Sequence, residues 1–286
     1  MTARLLPHLS AADYHADPCE HPSLSASCAT TLLSRSPYHA WLHHPRLGAL
    51  PREATDSMDA GSLLHALVLG EDEDIVIVNA DDWRTKVAQA QRADARASKM
   101  IPVLRAKYDA ALALAEDVRA AITDLGIALD GESEASVEWT EDTSRGPVLC
   151  RGRMDHVWID RAAILDLKTC QSAHPRAVTS HVWEYGYDVQ QAAYRSAMRA
   201  LRPEFAGRES FTFVFVEQLP EGSQRRAIVQ PVTLSGTFRE IGERRWHRAC
   251  ETWAECLESG VWPDYTRVGE TMEIEAPGWA LAQEGL

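Results

Sequence analysis

Apolar residues recur at helical spacing as far as Gly126 and at alternate positions soon after it, so the chain changes character near its middle. "LSASCATTLLSRSPYHAWLHHP" predicts helix, with Ser25 or Ser27 as N-cap. "MDAGSLLHALVLG" predicts a compact apolar helix that ends at Gly70 and carries His65 in its middle. "RTKVAQAQRADARASKM" and "PVLRAKYDAALALAEDVRAAITDLG" predict two helices broken near Pro102, the second ended by Gly126. "EASVEWTED", "PVLCRGRMDHVWID" and "AAILDLKTC" then alternate with period two and predict three strands of an antiparallel meander. "PRAVTSHVWEYGYDVQQAAYRSAMRALRP" returns to helix, "ESFTFVFVEQ" and "RRAIVQPVTL" are further strands, and "SGTFREIGERRWHRACETWAECLESG" is a last helix. This order predicts an α/β or α+β fold with a central mixed sheet flanked by helices.

Composition adds bounds. The 286 residues are 45% apolar, enough for a sizeable core in one large domain or two small ones. No apolar run reaches the roughly 18 residues of a membrane helix, and the N-terminus lacks the apolar stretch of a signal peptide. The expectation is a soluble cytoplasmic protein with no membrane partner. Cys19, Cys28, Cys150, Cys170, Cys250 and Cys256 form no C-x-x-C pair, which favours buried thiols over disulfides or a zinc site. The net charge of −13 argues against nucleic acid, but its distribution is uneven. Arg84, Lys86, Arg92, Arg96, Lys99, Arg105 and Lys107 fall in one segment against a single acid, Asp94. A basic stripe on an acidic body is compatible with phosphate contact, and a solvated helix face has the same composition.

Chemistry concentrates in "GRMDHVWIDRAAILDLKT". Side chains two apart on a strand share a face, so Asp166 and Lys168 point one way and Leu167 the other. Arg151, Arg153 and Asp155 share a face of the preceding strand. If the strands pair through a turn near 160–163, Asp155 approaches Asp166. Two adjacent carboxylates repel, and a divalent cation with hard oxygen ligands, Mg²⁺ or Mn²⁺, removes the repulsion. Such a cation with a nearby lysine is suited to phosphodiester hydrolysis. A surface hairpin with an ion pair shares the spacing, but these aspartates lie inside apolar strand runs, where a solvated charge is out of place.

The pattern D-x₁₀-D-x-K after a helical histidine resembles the PD-(D/E)XK nuclease superfamily, and within it the RecE-type exonucleases (exonuclease VIII-like), encoded largely by phages and prophages. "LSASCATTLLSRSPYHAWLHH" is similar to that group's S-x-S-x-x-x-x-L-L-x-S-P-x-H-(F/W) segment. "AGSLLHALVLGED" resembles its histidine helix, "YDVQQAAYRSAM" its Q-x-x-x-Y helix, and "LESGVWPDY" its G-x-W-P-x-Y segment. The likeness covers roughly Leu24 to Tyr265 as a nuclease domain. It leaves an N-terminal extension, 1–23, and an acidic tail, 266–286, that is a candidate for disorder.

The resemblance implies that Asp155 and Asp166 bind metal, with the Leu167 carbonyl as a further ligand, that Lys168 is catalytic, and that His65 completes the metal shell. Glu138 falls where related enzymes place an extra acid on the first strand. Gln190 and Tyr194 would lie beside the active site and contact the DNA end, with Gln190 also counted among the catalytic residues. Arg151, Arg153, Lys86, Arg92, Arg96 and Lys99 are candidate phosphate contacts. The implied activity is Mg²⁺-dependent hydrolysis, with Mn²⁺ as substitute, from linear double-stranded DNA ends in the 5′→3′ direction, leaving 3′ strands for a RecT-like single-strand annealing protein. A homo-oligomeric ring around DNA would reconcile the acidic chain with this substrate. An endonuclease, a single-strand-specific nuclease and a catalytically silent DNA-binding module are the alternatives.

The sequence departs from the pattern in places. The third motif is D-L-K rather than E-x-K, and Met154 stands where the superfamily name has proline. Some relatives hold an iron–sulfur cluster on four cysteines. Here the first of those positions is Ser36, and Cys250 and Cys256 lack a close third cysteine, so no cluster is expected. No phosphate-binding G-x-x-x-x-G-K-(S/T) loop occurs, so no nucleotide is implied.

Overall fold

The computed structural model describes residues 2–7, 9–50, 56–70, 74–98, 100–220, 222–266 and 271–285. Its elements are β1 (Ala3–Leu5), α1 (Ala11–His15), β2 (Leu24–Ser25), α2 (Ala26–Ser34), α3 (Pro37–His43), α4 (Asp56–Leu69), β3 (Ile75–Val78), α5 (Lys86–Ala97), β4 (Ile101–Leu104) and α6 (Arg105–Asp124). The second half holds β5 (Glu132–Thr143), β6 (Gly146–Trp158), β7 (Ala163–Cys170), α7 (Pro175–Glu184), α8 (Tyr187–Leu201), β8 (Ser210–Gln218), β9 (Ala227–Val232), α9 (Gly236–Ser259) and α10 (Gly278–Glu284).

The strands form a mixed sheet in the order β1-β5-β6-β7-β8-β9, with β2 lying parallel to β6. β5, β6 and β7 are antiparallel neighbours, as the period-two pattern predicts. The next connection crosses over through α7 and α8 and returns β8 parallel to β7. Alternate residues of these strands feed two cores. Ile164, Phe211, Phe213 and Phe215 pack with α2, α8 and α9 through Ala29, Val189, Ala193 and Trp253. Leu165, Leu167, Val214 and Val216 pack with Leu63, Leu64 and Leu67 of α4 and with Val118 and Ile122 of α6. Asp166 and Lys168 therefore sit on the α8 face of β7, between residues that bury themselves against α4 and α6.

Three elements differ from the pattern reading. Two helices, α5 and α6, do break near Pro102, but the break is itself a strand. Pro102 lies in β4, which among the described residues pairs in parallel with β3 alone, so a proline here removes little from a two-stranded ribbon. The long helix read over 175–203 is two helices, turned at Gly186, whose φ is +68°. A Cβ there would meet the Thr30 side chain at 2.5 Å, so only glycine fits this corner. The tail carries the short helix α10, with Trp279 exposed. All six cysteines are free thiols. No helix of the described residues is long and apolar enough to cross a membrane.

The N-terminal segment joins the sheet through β1 and also supplies a buried ionic cluster. Asp17 accepts from the Ser23 backbone N–H at 2.9 Å and from its hydroxyl at 2.8 Å, and lies 3.2 Å from Arg151 Nη1 and 3.3 Å from His44 Nε2. Burial would push the Asp17 carboxyl up, but His44, Arg151 and Ser23 together hold it at about 2. Its folded pKa is thus depressed, so its contribution to stability is complete above about pH 4 and is lost as pH falls toward 2. Arg151→Ala removes a cation from this buried carboxylate and leaves it to Ser23 and His44. It is expected to cost about 3–5 kcal/mol of unfolding free energy at pH 7, measured by denaturant unfolding.

Candidate active site

The sheet opens where the chemistry-bearing residues lie. The β6–β7 ladder runs only from His156–Leu165 to Trp158–Ala163. Beyond it β6 stays paired with β5, and β7 with β8 as far as Cys170. The register points Asp155 at Asp166 just past the last bonded pair. In the opening, Asp155 Oδ2 accepts the Leu167 N–H at 2.7 Å, taking a hydrogen bond the ladder gives up. The Lys168 ammonium contacts Asp166 Oδ1, and Gln190 on α8 donates to Asp166 Oδ2 at 2.7 Å. From the opposite face α4 brings His65, whose Nδ1 is 3.4 Å from Asp155 Oδ2.

Electrostatics set these groups apart from an ordinary ion pair. Burial pushes Asp155 up to about 6 against the pull of Lys168, and Glu134 adds to the push. Burial and then Asp155 push Asp166 up to about 6 as well. Burial works against the Lys168 ammonium, but Asp166 and Asp155 outweigh it and raise its pKa. Burial and the Lys168 charge push His65 down, which leaves a neutral imidazole at neutral pH.

Sequence reading missed one member of this group. Glu134 on β5 lies opposite Asp155 in register, between the pairs Ser133–His156 and Ala135–Met154. Its φ is +51°, a left-handed conformation that is costly outside glycine and is held only where the surroundings dictate it. Ligand atoms of His65, Glu134 and Asp155 all lie within 4.8 Å of one another. A neutral imidazole beside the Asp155 and Glu134 carboxylates is a donor set suited to a hard divalent cation such as Mg²⁺ or Mn²⁺.

A family described as a PDDEXK-like domain of unknown function (DUF3799) matches residues 31–274 of the sequence. This chain belongs to that family. A crystal structure of a protein from Eubacterium rectale, provisionally described as an exonuclease, superposes with a TM-score of 0.60 at 14% identity, covering 96% of this chain and 98% of that one. A phage-related exonuclease from Haemophilus somnus 129PT aligns with a TM-score of 0.36 at 12% identity over 84% of this chain and 96% of that one. The Eubacterium rectale likeness supports the fold. No curated protein matches the sequence.

The remaining predicted residues of this PDDEXK-like domain take other places. Glu138, read as the extra acid, pairs with Arg4 Nε at 2.8 Å and stands four residues along β5 from Glu134, roughly 13 Å of strand. A strand acid was expected, but strand period alone could not say which one faces the opening. Arg151 is buried on Asp17 and Ser23 and presents no surface for a phosphate. Arg153 pairs with Glu134 and donates to the Leu9 carbonyl at 2.8 Å, so it steadies the acid at the opening. Tyr194 is only 6% exposed. Its hydroxyl donates to the Arg153 carbonyl at 2.8 Å and its ring lies against Gly152, so a DNA end does not reach it. A Cβ on Gly152 would sit 2.8 Å from that ring. Gly152→Ala is therefore expected to displace β6 or Tyr194, lowering the thermal midpoint by several degrees on the basis of about 1–3 kcal/mol of overpacking. On α5, Lys86 is exposed, Arg92 lies over the Trp83 ring, and Arg96 pairs with Asp59 at 2.6 Å, which ties the basic helix to the helix carrying His65. Lys99 lies outside the described residues.

Proposed function

We propose that this domain is a metal-dependent deoxyribonuclease of RecE type, cleaving phosphodiester bonds from the ends of linear double-stranded DNA. The carrying observation is the opened β6–β7 pair, where Asp155, Asp166, Lys168, His65 and Glu134 converge from three strands and a helix. Asp155, Asp166, His65 and Glu134, with the Leu167 carbonyl, would hold Mg²⁺, for which Mn²⁺ would substitute. The bound ion would polarise the scissile phosphate and lower the pKa of water. Lys168, held charged by its two aspartates, orients the attacking water and offsets negative charge developing on the phosphate. Gln190 fixes the Asp166 carboxylate by its hydrogen bond. The 5′→3′ polarity, the 3′ single strand left for a RecT-like annealing protein and the cytoplasmic location follow the same resemblance. Neither an iron–sulfur cluster nor a nucleotide enters the proposal.

The test is digestion of linear duplex, covalently closed circular duplex and single-stranded DNA with Mg²⁺ or Mn²⁺. The expected result is loss of the linear duplex and survival of the circle. Cutting of circles would favour an endonuclease with the same centre. Loss of single strands alone would favour a single-strand-specific nuclease. No cutting of any of the three would leave a silent DNA-binding module.

A homo-oligomeric ring is part of the proposal, because it lets an acidic chain present a basic lumen to DNA. The charge separation between the α5 region and the rest of the chain supports it. Light scattering is expected to give a multiple of the 31.8 kDa chain mass, and a monomer would overturn the ring.

A further inference from the structure

A file of aromatic rings leads from the proposed catalytic lysine to the surface. Lys168 Nζ lies over the Tyr187 ring, 4.9 Å from its centroid. Tyr187 packs on Phe213 within the core, and its outer side meets Tyr185 with ring centroids 5.7 Å apart. Tyr185 in turn meets His181 at 5.6 Å. Tyr185 is 58% exposed, and Trp183 beside it is 55% exposed with the Arg245 guanidinium stacked 4.6 Å from its ring. The Gly186 corner makes this possible, since it turns α7 into α8 and sets Tyr185 and Tyr187 on either side of one left-handed residue.

Exposed rings that run on from an active site offer it a contiguous apolar face, the kind of surface that marks a binding groove. Successive rings beside cationic groups form a stacking platform for unpaired bases, which is tolerant of sequence because every base has a π-face. Fold requirements do not explain these rings. Tyr187 alone reaches the core, and Tyr185 and Trp183 lie outside both apolar clusters.

Resting on the nuclease reading above, we propose that Tyr187 and Tyr185 stack the unpaired nucleotides of the strand being cut, next to the phosphate held at Lys168. The substrate region in contact with α7 and α8 is then single-stranded, even when the DNA offered is duplex.

The experiment measures binding of a fluorescein-labelled oligothymidylate by anisotropy without divalent metal, for wild type, Tyr185→Ala and Tyr185→Phe. Binding of Mn²⁺ is followed in parallel by titration calorimetry. That reports the metal centre alone. Tyr185→Ala is expected to weaken oligonucleotide binding roughly 5- to 100-fold, the range found for loss of one stacked base. Tyr185→Phe should stay within about twofold of wild type, and Mn²⁺ binding should not change in either variant. Unweakened binding by Tyr185→Ala overturns the platform. So does a loss in Tyr185→Phe equal to that in Tyr185→Ala, because the hydroxyl rather than the ring would then carry the contact. If wild type binds the oligonucleotide through Tyr185 but cleaves no DNA, the platform stands and the nuclease reading fails. If it cleaves DNA with Tyr185→Ala binding unchanged, the reverse holds.

Discussion

Lys168→Ala is expected to lower DNA hydrolysis roughly 10²- to 10⁴-fold, the span of effects seen when a charge-stabilising or proton-handling group is removed. Lys168 is the cation in direct contact with Asp166, and it stands over the Tyr187 ring. Its loss removes the charge that counters the two carboxylates, so both should become harder to ionise. The fall should appear in kcat rather than KM, because the variant leaves the rest of the proposed DNA-binding surface in place. Lys168→Arg is expected to fail as well, because a planar guanidinium does not replace a compact ammonium between Asp166 and Tyr187. Single-turnover degradation of an end-labelled duplex, with circular dichroism to show that the variants fold, checks both. Activity within about threefold of wild type would make Lys168 a structural counter-ion.

The second large effect links stability to pH and metal. Asp155 and Asp166 are raised to about 6 in the folded protein, above the roughly 3.9 of an unfolded aspartate. Between those values the folded chain binds more protons than the unfolded one, so these groups lower metal-free stability as pH rises from about 4 to about 6. The penalty is complete at pH 7.5. Asparagine at 155 keeps a carbonyl for the Leu167 N–H and carries no charge. Metal-free Asp155→Asn is therefore expected to be about 1–3 kcal/mol more stable than wild type at pH 7.5, with the advantage gone near pH 4. Saturating Mn²⁺ should raise the wild-type midpoint at pH 7.5, by less at pH 5, and should do little for the variant. Thermal unfolding at the three pH values reads all of this. A variant less stable than wild type at pH 7.5 would show that the carboxylate contributes to the fold rather than straining it.

Much of this site was legible from two local periodicities. Period two in "RMDHV" and "ILDLK" put Asp155 and Asp166 on adjoining strands and Lys168 beside the second, and helical spacing put His65 on an apolar helix. Ser25 is the N-cap of α2, as its hydroxyl-bearing position predicts. What stayed hidden depends on partners far along the chain. Arg151 looks like a surface cation until Asp17 and Ser23 close over it from the N-terminus. Tyr194 looks like a DNA contact until Gly152, on another strand, leaves room for its ring. Glu134 was passed over because strand period gives no sign of a left-handed residue, and its proximity to His65 exists only once α4 packs on the sheet. β3 and β4 were missed because four-residue strands carry little periodicity and Pro102 reads as a breaker.

Titration calorimetry of Mn²⁺ into the metal-free protein at pH 7.5 tests the centre most directly, using wild type, Asp155→Asn and Glu134→Gln. Wild type is expected to bind saturably, Asp155→Asn to lose the binding isotherm, and Glu134→Gln to weaken it roughly tenfold or more. No saturable heat with wild type, or the same isotherm in all three proteins, would mean that the opening between β6 and β7 is not a metal centre.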